Sequence, residues 1–171
     1  MNEVMTLTED IGCDIYYQDA DSMFVDAIKL PKLEEEFLKK YNRELSGKQM
    51  GQFESDFTSM NGRTDVKYAN ESIFLMKKMY LNQLRLEDKS IDYMYRGKGL
   101  TQKCILMKAK KFADDKDSVG LLNLFKRLFK GETIEFNLTD GAPCFKMGKN
   151  MTISTLKEFK RKIKTTYEIG K

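Results

Sequence analysis

Apolar residues in this sequence come in short runs whose spacing changes along the chain, from helical near the N-terminus to alternating and back to helical. A chain patterned this way cannot settle into one long helix or one continuous sheet, because each element must turn its own apolar side to a core. Residues Asn2 to Ile11 place Val4, Met5, Leu7 and Ile11 at roughly helical spacing, and Gly12 stands where a left-handed C-terminal cap belongs. Two short runs follow, Ile15-Tyr16-Tyr17 and Met23-Phe24-Val25, separated by Gln18-Asp19-Ala20-Asp21-Ser22. They predict a β-hairpin with acids at its tip. Beyond it, Leu33, Phe37, Leu38 and Tyr41 mark one face of a charged surface helix.

After a Gly/Asn/Ser-rich region containing Asn61-Gly62, the segments Ser72 to Leu84 and Ile91 to Lys98 predict a second strand pair. On a strand, Lys78 and Tyr80 would share one face. Residues 101–116 and 118–130 read as two helices, the second presenting Val119, Leu122, Phe125, Leu128 and Phe129 and stopping at Gly131. Short strands are expected near 133–138 and 151–156. The predicted fold class is α+β, without internal repeats or a proline-rich linker.

At 171 residues and 41% hydrophobic, the chain has material for one domain or two small lobes. No run of 18 apolar residues and no leader pattern occurs, so the expectation is a soluble, intracellular protein with no membrane partner. Three widely spaced cysteines, Cys13, Cys104 and Cys144, and no histidine exclude a histidine-bearing zinc site, histidine base catalysis and a disulfide framework. The net charge of +4 hides a polarity: residues 1–70 hold 8 basic and 14 acidic side chains, residues 71–171 hold 22 and 12. A basic half suits a polyphosphate backbone, and it equally suits a solvated lysine-rich surface.

Asp19 and Asp21 are one residue apart between apolar strands, and like charges that close repel unless a cation or hydrogen bonds compensate. Magnesium prefers few protein carboxylates plus water and substrate phosphates. A D-x-D turn facing a third carboxylate from elsewhere would suit two-metal phosphoryl transfer, with one ion activating the attacking hydroxyl and the other steadying the leaving group. Asp and Ser are also ordinary turn residues.

The flanks narrow the choice. Tyr17-Gln18-Asp19-Ala20-Asp21-Ser22, between Ile15-Tyr16 and Met23-Phe24-Val25, resembles the Y-x-D-T-D-S motif of family B DNA polymerases. By that resemblance the motif sits at the tip of a palm hairpin, Asp21 is the main metal ligand, Asp19 supports it, and Tyr17 lines the primer-terminus side. The departure is Ala20, where the family usually has threonine and its hydroxyl. Lys77-Lys78-Met79-Tyr80 is similar to the family's K-x-Y segment, and Arg96-Gly97-Lys98-Gly99 to its K-x-K-G-like segment. The resemblance therefore carries Lys78, Tyr80 and Lys98 over as contacts to primer-template DNA, of the kind that position a duplex without reading its sequence. Gly51 to Asp56 stands where the family often has an L-G-x-x-x-x-D-like stretch, and Asp56 is taken as structural. The short route from Ser72-Ile73-Phe74-Leu75 to Lys78-Met79-Tyr80, and the modest length of the remainder, look most like the protein-primed branch found in viruses, linear plasmids and related mobile elements.

The resemblance implies an antiparallel palm sheet over residues 1–100, followed by a small mixed thumb over 101–171. It also implies magnesium as cofactor and deoxynucleoside triphosphates as substrates. The family's upstream aspartate motif and its lysine-bearing fingers helix have no counterpart here, so the two-metal site would need a carboxylate absent from this chain. Three alternatives stay open: a subunit completed by a second polypeptide, a truncated relic or excised fragment, and a non-catalytic nucleic-acid-binding accessory module. Outside the polymerase reading, Tyr93 and Tyr95 would serve as stacking platforms for single-stranded nucleic acid. The lysine-rich stretch of Lys157, Lys160, Arg161, Lys162 and Lys164 is either a duplex contact or a solvated element.

Overall fold

The computed structural model describes residues 1–165, and residues 166–171 of the expected second region lie outside them. The fold is α+β, and its contacts divide it into two compact units, residues 1–58 and residues from Ser59 onward. The boundary near residue 100 expected from the resemblance falls inside the second unit, because strands before it and helices after it share one hydrophobic core.

The first unit begins with α1 (Asn2–Asp10). Val4 and Leu7 turn inward, and the buried Thr8 hydroxyl donates to the Val4 carbonyl at 2.6 Å, which spares it an orphan polar group. The helix stops as its sequence predicts. Gly12 takes φ +68°, its amide donates to the Glu9 carbonyl, and the Cys13 amide donates to the Thr8 carbonyl at 2.8 Å. That is a Schellman cap, and the Cys13 side chain that follows it is buried. The predicted hairpin follows as β1 (Ile15–Asp19) and β2 (Ser22–Val25). Next, α2 (Leu30–Tyr41) starts earlier than predicted, with Pro31 in its first turn, and ends on Asn42 at φ +51°. Leu33 and Phe37 are buried beside Val4, Leu7 and Leu45, whereas Leu38, expected on the same face, is exposed.

The second unit is built on a meander of β3 (Val66–Met76), β4 (Met79–Leu86) and β5 (Ile91–Gly97) in the order β3-β4-β5, all antiparallel. The segment expected as one strand from Ser72 to Leu84 is two strands. Lys77 and Lys78 form the turn between them, with Lys78 at φ +63°. A basic pair flanked by apolar runs looks continuous by composition, and the left-handed turn residue is a lysine rather than the usual glycine or asparagine.

One sheet face, carrying Ile73, Leu75, Met79, Leu81, Tyr93 and Tyr95, packs on α3 (Gln102–Ala109), α4 (Leu121–Phe129) and β6 (Ile134–Asn137). The Thr101 side chain caps α3 by accepting from the Cys104 amide at 3.2 Å. Residues Leu121, Leu124, Phe125 and Leu128 bury one face of α4, and each such side chain contributes about 1.5–3 kcal/mol. Phe129, expected on that face, is exposed. The start of α4 is set by buried Asp117, whose carboxylate accepts from the amides of Gly120 and Asn123, both at 2.9 Å, and from the Tyr93 hydroxyl at 3.3 Å. Gly120 is required there: it sits at φ +76°, and a Cβ would lie 2.0 Å from the Ala109 carbonyl oxygen.

Among the described residues, three further strands follow β6. β9 (Lys160–Ile163) pairs antiparallel with β6, and between them lies a hairpin of β7 (Cys144–Met147) and β8 (Ile153–Leu156). Only the β6 and β8 regions had been expected as strands. Among the described residues, no helix is long and apolar enough to cross a membrane.

Candidate metal hairpin and basic sheet end

Backbone register puts the acidic pair at the extreme end of the first hairpin. Asp19 pairs with Ser22, so Ala20 and Asp21 alone make the turn, a tighter tip than the five residues between the apolar runs suggest. Exposure alternates along β1: Ile15, Tyr17 and Asp19 are half-buried, and Tyr16 and Gln18 point to solvent. Tyr17 and Asp19 thus share a face, and Tyr17 is anchored there by an edge-on ring contact to Phe24 across the strands at 5.8 Å. Phe24 makes a second edge contact with Phe57, also at 5.8 Å. Edge-to-face pairs of this kind add about 0.5–1.5 kcal/mol beyond area burial, so the strands below the tip are held by aromatic packing.

Asp21 is exposed, and the Ser22 hydroxyl donates to the Asp19 carbonyl at 3.2 Å. The donor chemistry is an exposed carboxylate, Asp21, beside a half-buried one, Asp19, which fits a hard cation that keeps most of its hydration shell. Asp21 and Asp19 would hold such an ion from one side. Among the described residues, no group of three Asp, Glu or Cys side chains converges on one point, so the pair is not a complete cage.

Ala20 has a positive φ of +33°. A Cβ in that region is strained, and a branched one more so, so the backbone of this tip suits alanine better than the threonine of the resembled motif.

The basic residues belong to the second unit. Met79 pairs with Gly97, which places Lys78 and Lys98 one step beyond a paired rung, side by side at one end of the sheet. Both are exposed, together with Lys77 and Arg96. Spacing along the chain could not reveal this pairing, since it depends on the register of β4 against β5. Arg161 from β9 reaches the same end, its guanidinium donating to the Gly99 carbonyl at 3.5 Å. Sequence reasoning placed Arg161 only in a diffuse lysine-rich stretch.

Tyr80 does not join this group. It lies on β4, is 9% exposed, and its ring sits 6.0 Å from that of Phe74. The expectation that Lys78 and Tyr80 share a strand face fails because Lys78 is in the turn. Tyr93 and Tyr95 are likewise buried, with the Tyr95 hydroxyl donating to the Gln102 carbonyl at 3.4 Å, and burial pushes the Tyr95 phenol up to about 12. Buried rings offer no face to a nucleobase, so the stacking-platform reading is set aside.

Around Gly51 to Asp56 the chain makes a turn closed by the Phe53 amide on the Leu45 carbonyl and the Gly47 amide on the Phe53 carbonyl, with Asp56 exposed at its end. Comparisons with models of known protein families, with characterised proteins and with solved structures found no match to this chain.

Proposed function

We propose that this chain contributes the metal-binding hairpin and part of the primer-template grip to a DNA-directed DNA polymerase of family B, completed by a second polypeptide. The observation that carries the reading is the Tyr17-Gln18-Asp19-Ala20-Asp21-Ser22 motif at the tip of a two-stranded antiparallel hairpin, with Tyr17 and Asp19 on one face. Asp21 and Asp19 would hold magnesium, which when bound activates the primer 3′-hydroxyl and steadies the leaving pyrophosphate. Tyr17 would limit where the primer terminus can rest. Lys78 and Lys98, adjacent at the sheet end, would neutralise backbone phosphates and so bind duplex independently of its sequence. Tyr80 is left out of the DNA contacts because it is buried.

The second polypeptide would bring the missing carboxylate and the fingers that hold the deoxynucleoside triphosphate. A non-catalytic nucleic-acid-binding module is the second reading, favoured by the exposed basic residues Lys77, Lys78, Arg96 and Lys98 at one end of the sheet. The resemblance to the protein-primed branch makes a viral or mobile-element gene the expected source.

The test is primer extension in magnesium with the chain alone, then mixed with upstream palm-and-fingers polypeptides from the same source. Extension only in the mixture, abolished by Asp21→Asn, is the expected result. No extension in any mixture, with duplex binding that weakens in salt and on Lys78→Ala and Lys98→Ala, would replace the polymerase reading with the accessory one.

A further inference from the structure

The β7–β8 hairpin gathers several exposed apolar side chains on one small sheet. Its register pairs Phe145 with Thr155 and Met147 with Ile153, so alternation gathers Phe145, Met147 and Ile153 on one face. These side chains are 64%, 66% and 69% exposed, and Met151 in the turn is 81% exposed. The turn itself is ordered, with the Gly148 amide donating to the Thr152 carbonyl at 2.7 Å and the Met151 amide to the Gly148 carbonyl at 3.1 Å. A sheet face this apolar normally packs on something.

Charge indicates what. Residues 141–164 carry seven basic side chains and one acid, and that acid, Glu158, is paired with Lys160 at 2.8 Å. Among the described residues, Lys146, Lys149 and Lys157 form no ion pair. Lys146 alternates to the opposite face of the hairpin, while Lys149 in the turn and Lys157 just past β8 stand at the two ends of the apolar one, and an apolar face with cations at its ends complements a surface that is both apolar and anionic.

We propose that this hairpin docks on an anionic lipid surface, the apolar face entering the headgroup-acyl boundary and Lys149 and Lys157 at its ends meeting lipid phosphates and carboxylates. A nucleic-acid duplex would satisfy the charge, but it accepts one or two wedge side chains between base steps and offers little apolar area to a whole sheet face. A bilayer boundary takes the entire face. This is surface attachment without a spanning helix, and it departs from the expectation that no membrane is involved. It uses neither Asp19 nor Asp21, so it stands or falls separately from the polymerase reading.

The experiment is co-sedimentation of the full chain with vesicles of phosphatidylcholine alone and of phosphatidylcholine with 30% phosphatidylserine, alongside binding of a short DNA duplex. Expected are at least ~tenfold tighter binding to the anionic vesicles, a loss of at least ~tenfold for Phe145→Ser/Met147→Ser/Ile153→Ser, and weakening in high salt. Unchanged circular dichroism and melting would show that this surface variant still folds. Equal binding to both vesicles, or an undiminished triple variant, overturns the proposal. So does a triple variant that loses DNA binding while keeping vesicle binding, which would make the hairpin a nucleic-acid wedge.

Discussion

The unit of residues 1–58 and the unit that follows it differ in charge and in the kind of contact that builds them. The first carries 6 basic and 13 acidic side chains, the second 24 and 13. Local devices shape much of the first: a Schellman cap, a two-residue hairpin, a proline-initiated helix, and a modest apolar cluster around Leu33 and Phe37. The second is built on a meander of neighbouring strands and adds a pairing between distant segments, where β6 meets β9 and strands and helices share one large core. A small cluster leaves a small unit near the margin of stability, whereas a larger core can bury polar groups such as Asp117 and supply their partners.

Core truncation tests this contrast most strongly. Leu124→Ala and Leu33→Ala should each cost about 3 kcal/mol. If the units unfold separately, Leu124→Ala will speed amide hydrogen exchange in β3, β4 and α4 while leaving α1 and α2 unchanged, and Leu33→Ala will do the reverse. Uniform acceleration by either variant would make the chain one cooperative body and dissolve the comparison.

A smaller effect is expected at the hairpin tip. Ala20→Gly should stabilise the first unit by about 1 kcal/mol, because glycine relieves the positive φ, and Ala20→Thr should destabilise it by a similar amount. Chemical denaturation measures both. A stabilising Ala20→Thr would mean that the tip relaxes to the backbone of the resembled motif and that its strain is not intrinsic.

The smallest effect is electrostatic. Arg63 pairs with Asp65 and, at 2.7 Å, with Asp88, and its own guanidinium is pushed further up. Hydrogen bonds from Ser90 and from Arg63 hold the Asp88 carboxyl down at about 2, and Arg63 lowers Asp65. Carboxyls depressed in the folded state stabilise it fully above the ordinary carboxylate value near ~4, and that contribution is lost as pH falls through about 2. Because the groups are exposed, the change should be slight. Melting curves between pH 5 and pH 2 should fall less steeply for Arg63→Ala than for the parent chain, and identical slopes would remove this network from the stability of the second unit.

Much of the local architecture was legible in the residues. The stop at Gly12, the hairpin around Asp19 and Asp21, and the stop at Gly131 are all present, because caps and turns depend on neighbours a few positions away. Reading failed where a side chain's fate depended on distant packing. Leu38 and Phe129 belong to apolar patterns yet face solvent, while Tyr80, Tyr93 and Tyr95 could have been surface tyrosines and are buried. The β7 and β9 strands were missed because four-residue segments rich in lysine or methionine carry little periodic signal, and the pairing of β9 with β6 bridges more than twenty residues.

For the candidate site, the sequence alone determined that two carboxylates stand one residue apart at a turn, since adjacency along the chain guarantees proximity in space. Only the tertiary structure decided that Lys78 and Lys98 are neighbours, that Arg161 reaches the same sheet end, and that Tyr80 is withdrawn from it. The physical reason is register. A shift of one residue between β4 and β5 would turn every side chain of one strand to the opposite face, and that choice is made by the shared core rather than by any local motif.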